Sequence, residues 1–309
     1  MHIRDHWFAV VNPHSANGST RKRWPHYLKR LQDEGYLIDF VYTSKPGDAT
    51  RITQQALNNG CTHIISVGGD GTMNEVVNGF FSNDQLISLE AELAVFSHGT
   101  GCDFIRSLQI PRGIEGFVGV LKQGRKRMVD LGEVLFYNDQ GQQVQRYFLN
   151  VGDVGLGGET VARVNRQSKL LGGKLSFLIG SVLSILSYRN KVMSCEIDGK
   201  LICHGRLNSI MVANGRYIGG GMMIAPQAEL DDGLFDVVVL GDFSAWTILR
   251  HIPKIYRGTH LRIPGVSVQR GRSVVITSDE RILLDIDGEQ PGQGPIEFRL
   301  KPGILRLWG

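Results

Sequence analysis

The first half of the chain repeats one pattern: a short apolar run stops at a turn-rich or glycine-rich loop, and a helical stretch follows. Trp7 to Val11 stops at Asn12-Pro13, and the next stretch places Trp24, Tyr27, Leu28 and Leu31 at helical spacing. Leu37 to Tyr42 reads as a strand and Asp48 to Asn59 as a helix with Ile52, Ala56 and Leu57 on one face. His63 to Val67 reads as a buried strand, Asn74 to Phe81 as a helix, and Leu93 to Phe96 as a strand again. Such alternation closes into a mainly parallel sheet with helices on both faces. Ligands on such sheets gather beyond the carboxyl ends of the strands, where the loops lie.

The pattern changes at Val129-Asp130-Leu131-Gly132. Strand signals then dominate, at 133–137, 146–151, 192–197, 209–213, 235–240, 274–277, 282–286 and 296–300. Two helical stretches interrupt them, 173–188 and 244–256. Many short strands with glycine-rich turns predict a sandwich or barrel. The expected organisation is an α/β domain over residues 1–133 and a β-rich domain over 134–297.

Composition excludes several classes. Hydrophobic residues make up 42% and charged residues 21%, with net charge +4, so the chain is not disordered. Its 39 glycines follow no Gly-X-Y period, which excludes collagen and implies tight turns or close backbone approach to a ligand. Cys61, Cys102, Cys195 and Cys203 form no C-x-x-C pair, which argues against zinc and for reduced thiols in a cytoplasmic protein. The N-terminus lacks the apolar core of a signal peptide, and the longest apolar stretch, Leu175 to Leu186, is too short to span a bilayer.

The chemistry concentrates in loops. In Gly68-Gly69-Asp70-Gly71-Thr72 a strand runs into three glycines, an Asp and a Thr, then a helix. Glycines let successive backbone N–H groups face an anion, the helix start adds its positive dipole end, and Thr72 offers a hydroxyl. Asp70 can face a metal that neutralises phosphates. The block is neither a Walker A loop nor a Rossmann fingerprint. His98-Gly99-Thr100-Gly101-Cys102-Asp103 and Asn12-Pro13-His14-Ser15-Ala16-Asn17-Gly18 repeat the device after two other strands. Three such loops converge on one sheet edge.

With these residues in place, the chain resembles the diacylglycerol/sphingosine kinase family of lipid kinases. The resemblance rests on Asn12-Pro13-x-Ser15, Gly68 to Thr72 with Asn74-Glu75, Gly99-Thr100-Gly101-x-Asp103-Phe104 and Asp130-Leu131-Gly132. In the second half it rests on Asn214, Gly219-Gly220-Gly221, Pro226-x-Ala228, Asp231-Asp232-Gly233-Leu234 and Asp287-Gly288-Glu289. It implies a phosphofructokinase-like α/β nucleotide domain joined to a C-terminal β-sandwich, with ATP in the interdomain cleft and the last residues, 298–309, returning to the first domain. It implies transfer of the γ-phosphoryl group of ATP to a lipid hydroxyl, diacylglycerol giving phosphatidic acid, or a sphingoid base or other lipid.

Carried over by motif, Asn12, Pro13, His14, Ser15, Ala16, Thr43, Gly69, Asp70, Gly71, Thr72, Met73, Asn74, Glu75 and Thr100 would line the nucleotide. Glu289 would be the general base with Asp287 beside it, and Asp70 would act through the phosphates. Asp232, with the carbonyls of Glu229 and Leu234, would hold a structural Mg²⁺. These roles suit the reaction, because a hydroxyl needs a carboxylate to take its proton and phosphoryl transfer otherwise needs positioning and charge neutralisation. Mg²⁺ prefers hard oxygen ligands.

Departures from the family pattern are Cys102 in place of Asn, Ser97-His98 in place of a Pro, and Ala16-Asn17 in place of Gly and a basic residue. A lipid substrate presented at a membrane surface is the expected partner, with transient peripheral contact; a homodimer is compatible and no nucleic acid is expected. Leu170 to Leu186, with Lys169, Lys174 and Arg189 at its edges, reads as a helix packed on the β-domain or as a wall of the lipid pocket. Two other readings compete: a kinase of the same superfold acting on NAD or a sugar phosphate, and a nucleotide- or lipid-binding protein that has lost catalysis. The β-rich second half argues against the first, and Asp70 with Glu289 against the second.

Overall fold

The computed structural model describes residues 6–99, 101–166 and 173–309. The chain divides into two units, Met1–Val129 with Gly303–Gly309, and Asp130–Pro302.

The first unit follows the alternating pattern. Its elements are β1 (His6–Val11), α1 (Ser19–Asp33), β2 (Leu37–Tyr42), α2 (Asp48–Asn58), β3 (His63–Gly68) and α3 (Asp70–Asn78). A small hairpin, β4 (Phe81–Ser82) with β5 (Gln85–Leu86), precedes β6 (Glu92–Ser97), α4 (Asp103–Ser107) and α5 (Ile114–Gln123). Strands β6, β3, β1 and β2 lie side by side and all run parallel. Residues Arg306 and Leu307, at the far end of the chain, add a parallel strand beside β6. Near-continuous apolar runs suit a sheet covered on both faces, and Trp7, Ala9, Val11, Ile65, Val67, Ala94 and Phe96 are buried. One covering layer is Trp24, Tyr27 and Leu31 of α1, one helical face at i, i+3 and i+7.

The second unit is built from antiparallel strands. It contains most of β7 (Lys126–Tyr137), then β8 (Gln143–Phe148), β9 (Val151–Gly155), α6 (Leu156–Arg166), α7 (Gly173–Ser187), β10 (Lys191–Ile197), β11 (Lys200–Leu207) and β12 (Ser209–Ala213). The short strands β13 (Tyr217–Ile218) and β14 (Met222–Met223) lead to β15 (Phe235–Leu240), α8 (Ala245–Tyr256), β16 (Val266–Gly271), β17 (Ser273–Thr277), β18 (Leu283–Ile286) and β19 (Glu289–Trp308), whose last residues belong to the first unit. Strands run in the order β16-β15-β12-β9-β18-β19, while β11, β10 and β17 form a second ribbon that joins β19. Phe148, Phe235 and Phe298 pack at the centre of their shared core, the first two rings stacked at 5.8 Å.

Helix α6 is not among the helical stretches expected from the sequence, and Gly157 and Gly158 stand in its first turn. The glycines are there for space. A Cβ on Gly157 would lie 2.0 Å from Asp153 Oδ2, and one on Gly158 would lie 2.4 Å from the Leu283 carbonyl oxygen.

Candidate active site

The three loops of the first unit leave the carboxyl ends of β1, β3 and β6. The second and third touch backbone to backbone: a Cβ on Gly99 would stand 2.6 Å from the Gly69 Cα, and one on Gly68 would stand 2.5 Å from Thr72 Oγ1. Asn12 Nδ2 donates to Thr72 Oγ1 at 2.9 Å, which ties the first loop to the second. The first-turn N–H groups of α3, including Gly71 and Thr72, have no acceptor inside the helix, so they face outward beside that hydroxyl.

The side chains expected along the nucleotide divide by what they touch. Asn12 Oδ1 accepts the His14 N–H at 2.9 Å, and Ser15 Oγ donates to the Asn12 carbonyl at 2.9 Å, so these residues shape the loop itself. His14 is exposed, Pro13 and Thr43 are buried, and Ala16 takes φ 50°. Met73 is core, and only its backbone belongs to the loop. Asn74 is buried and engaged by Asn78 Nδ2. Glu75 is a strut: its two oxygens accept the Gly47 and Ala49 N–H groups at 2.9 and 3.0 Å, capping α2. Thr100, Lys169 and the start of the Leu170–Leu186 stretch at 170–172 lie outside the described residues.

Asp70 does not project freely. Its oxygens accept the Asp103 N–H at 3.1 and 3.2 Å and the Phe104 N–H at 3.3 Å, so the carboxylate holds the third loop against the second. Sequence reasoning missed Thr20 and placed His98 in the third loop without its partner. Thr20 Oγ1 lies 2.5 Å from Ser15 Oγ and 2.7 Å from His98 Nδ1, which joins the first loop to the third. Burial and nearby Arg23 lower the His98 pKa. The signal was His98 itself, a departure from the family pattern. Cys102 turns inward, its thiol on the Gly99 carbonyl at 3.2 Å.

In the second unit, motif residues far apart in sequence meet in one network. The Asp287 carboxylate accepts three backbone N–H groups, from Leu149, Asn150 and Val151, at 3.2, 3.1 and 3.0 Å. Asn214 Nδ2 donates to the carbonyls of Leu149 and Asp130 at 2.8 and 3.0 Å. Asp130 Oδ2 in turn accepts the Gly233 N–H at 2.7 Å. The Asp130, Asn214, Asp232-Gly233 and Asp287 blocks are thus one structural corner. Glu289, two residues on, is half exposed and faces Arg146 at 3.3 Å.

Two further carboxylates were not anticipated. Asp285 and Asp153 are directly opposite on β18 and β9, and both are buried. Burial, then the charges of Asp153 and Asp287, raise the Asp285 pKa, and burial pushes Asp153 up to about 7. Asp285 Oδ1 accepts the Gly288 N–H at 2.9 Å and so fixes the turn that carries Glu289.

Around the proposed metal position, Asp232 Oδ1 accepts the Leu234 N–H at 3.0 Å and Oδ2 pairs with Arg270. Glu229 is exposed. Buried Asp236 lies 3.5 Å from the same guanidinium, and its Oδ2 has no hydrogen bond. Burial first, then Asp232 and Glu229, raise its pKa against the pull of Arg270. Among the described residues no three His, Cys, Asp or Glu side chains form a ready-made cation cage.

Residues 6–134 match the diacylglycerol kinase catalytic domain, and residues 152–309 match the YegS C-terminal NAD kinase beta sandwich-like domain. The diacylglycerol kinase of Bacillus subtilis is 30% identical over 290 residues, covering 94% of this chain and 91% of that one. The chain belongs to the diacylglycerol kinase family. The diacylglycerol kinase of Staphylococcus carnosus is 28% identical over 289 residues, covering 94% and 90% of the two chains. A diacylglycerol kinase crystal structure from Bacillus anthracis shares the fold with TM-score 0.70 at 20% identity, over 98% of this chain and 96% of that one. An NAD kinase from Archaeoglobus fulgidus, solved in complex with ATP, shares it with TM-score 0.50 at 14% identity, over 98% and 93%. Family membership makes this a kinase-family chain with an α/β unit and a sandwich-like β unit.

Proposed function

We propose that the chain transfers the γ-phosphoryl group of ATP to the hydroxyl of diacylglycerol, giving phosphatidic acid. The observation that carries the reading is the glycine-lined carboxyl edge of the parallel sheet. There Gly69 and Gly99 meet without side chains, beside the Thr72 hydroxyl and the free N–H groups opening α3. Such an edge admits phosphate oxygens to backbone donors.

Proton removal falls to Glu289. Asp287 has its oxygens committed to three backbone N–H groups, whereas Glu289 is half exposed and its carboxylate pairs with Arg146. In this reading the acceptor hydroxyl loses its proton to Glu289, its oxygen bonds to the γ-phosphorus, and the bond from that phosphorus to the leaving oxygen of ADP breaks. Asp70 positions the third loop and does not take a proton. The hard oxygens of Asp232 and the Glu229 and Leu234 carbonyls suit Mg²⁺, and Asp232 and buried Asp236 share the guanidinium of Arg270. A cation there would brace the corner containing Asp130 and Gly233.

Contact with a lipid surface is supported by Leu183 and Leu186 of α7 and Trp246 of α8, which is 75% exposed. Among the described residues no helix is long and apolar enough to cross a membrane. The test is transfer of label from γ-labelled ATP to diacylglycerol, a sphingoid base and NAD in parallel. Diacylglycerol is expected to be labelled, and Glu289→Gln is expected to lower kcat by roughly 10²–10⁴-fold with little change in ATP binding. Labelling of NAD with diacylglycerol inert would overturn the assignment.

A further inference from the structure

Strands β10 and β11 form a hairpin whose turn is Asp198-Gly199, with both residues at positive φ, 50° and 76°. A two-residue turn of that kind fixes the register of the strands beside it. Ile197 stands opposite Lys200, and Glu196 opposite Leu201. The register then shifts by one residue on β11, so Ile202 is the extra residue of a bulge and Cys203 stands opposite Cys195. Directly opposite Cα atoms of an antiparallel pair lie about 4.5 or 5.5 Å apart, and both spacings fall within the roughly 4.4–6.8 Å that a disulfide spans. The two side chains also share a face of the ribbon, since Cys195 belongs to the core behind it and Cys203 packs on that same core.

The two thiols differ in access. Cys195 is fully buried, whereas Cys203 is partly exposed, on a strand whose only strand neighbour among the described residues is β10. Hydrogen bonding from the Cys195 thiol, with a smaller share from the Cys195 N–H, holds the Cys203 thiol below its ordinary value against the effect of burial. The same contact, then burial, pushes the Cys195 thiol up. Cys203 is therefore the sulfur that ionises first, and the thiolate is the attacking species in thiol–disulfide exchange. Cys61 and Cys102 lie outside the strands, and their thiols donate to the His63 and Gly99 carbonyls at 3.6 and 3.2 Å. All four cysteines are free thiols in the fold.

We infer that Cys195 and Cys203 form a dithiol site that reacts with low-molecular-weight disulfides and closes to an intramolecular disulfide. The Cys203 thiolate attacks one sulfur of the small disulfide. That S–S bond breaks, one half leaves as a thiolate and takes up the proton that Cys203 gave to solvent, and the other half stays on Cys203 as a mixed disulfide. The Cys195 sulfur then attacks the Cys203 sulfur, the mixed S–S bond breaks, and the Cys195 proton passes to the second departing thiolate. Two protein thiols are oxidised, and one small disulfide is reduced to two thiols. A buried cysteine that serves only as a small apolar residue of the core would stay reduced under the same conditions.

The experiment incubates the folded full chain with glutathione disulfide at neutral pH, blocks the remaining thiols with N-ethylmaleimide in denaturant, and maps the peptides by mass spectrometry. The wild type is expected to lose two of its four blockable thiols, the loss carried by a linked peptide joining Cys195 to Cys203. Cys195→Ser is expected to stop at the mixed disulfide on Cys203. Cys203→Ser is expected to keep Cys195 reduced, because the buried thiol has lost the group that reacts first. The wild-type result stands by itself if either variant fails to fold. A wild type that keeps all four thiols, carries glutathione on Cys203 without closing, or pairs Cys61 or Cys102 instead would overturn the site. So would closure seen only in urea that unfolds the chain, or a folded Cys203→Ser in which Cys195 is oxidised as fast as in the wild type. The outcome does not depend on whether the chain phosphorylates diacylglycerol.

Discussion

The Asp287 carboxylate accepts three buried backbone N–H groups, and its replacement by Ala strands all of them. An unsatisfied buried donor costs about 1–3 kcal/mol, so Asp287→Ala is expected to lose about 3 kcal/mol or more of stability in urea unfolding. Asp287→Asn keeps an acceptor and tolerates the left-handed backbone at φ 50°, so its loss is smaller. Glu289→Gln, half exposed, is expected to lose rate and leave the unfolding midpoint unchanged. Beside this turn, Asp153 faces Asp285 across two strands. Burial pushes its folded pKa up to about 7, well above the ordinary carboxylate range, so its protonated form is favoured in the folded state. That advantage is complete below the unfolded value and is lost as pH rises through the folded one. Asp153→Asn is therefore expected to flatten stability between about pH 4 and 7 and to gain up to a few kcal/mol above that range. Equal midpoint shifts for variant and wild type across the range would contradict it.

Loops are positioned here by glycines facing backbone, and an element-scale variant shows it. Gly99→Ala puts a methyl group 2.6 Å from the Gly69 Cα, where no flexible side chain can yield. The second and third loops must separate, which costs about 1–3 kcal/mol and opens the edge proposed to hold phosphate. The expected readout is a large loss of ATP affinity with a modest fall in Tm. Unchanged ATP affinity in folded Gly99→Ala would remove the third loop from the nucleotide site. Gly18 makes a useful contrast, since no atom lies within 4 Å of a Cβ built there. Its φ of 79° alone accounts for the glycine.

The first unit takes its last strand from the end of the chain, after the whole of the second has been built. Glu92 at the start of β6 receives that strand. Its oxygens meet Trp308 Nε1 at 2.7 Å, Lys126 Nζ at 2.8 Å and Arg306 Nη1 at 3.4 Å. Burial alone would raise its pKa, but Lys126 and Trp308 outweigh it and hold the carboxyl below its usual value. Removing one member of a buried charged network typically costs about 3–5 kcal/mol. Glu92→Ala is expected to lose about that much, with Trp308 fluorescence reporting release of the strand at lower denaturant. A midpoint unchanged from the wild type would show that the apolar contacts of Trp308 suffice.

Much of this protein is legible in one dimension. Strand–helix alternation carries the parallel sheet because each apolar run needs cover on both faces, and Gly68 to Thr72 marks the glycine-lined sheet edge at which phosphate binding is proposed, because glycine lets backbone donors reach an anion. What each acidic residue does is not legible, because a carboxylate's role depends on what stands opposite it. Asp70, Glu75 and Asp287 sit in motifs, yet in the fold they accept backbone N–H groups from segments far along the chain. Asp153 and Asp285 sit in no recognised pattern and meet only because β9 pairs with β18. Helix α6 is not among the expected helices, and the place of Gly157 and Gly158 in its first turn is explained only once Asp153 and the Leu283 carbonyl are seen pressing against them. Local spacing determines which elements form, and the contacts between distant strands decide which of their polar groups are left to do chemistry.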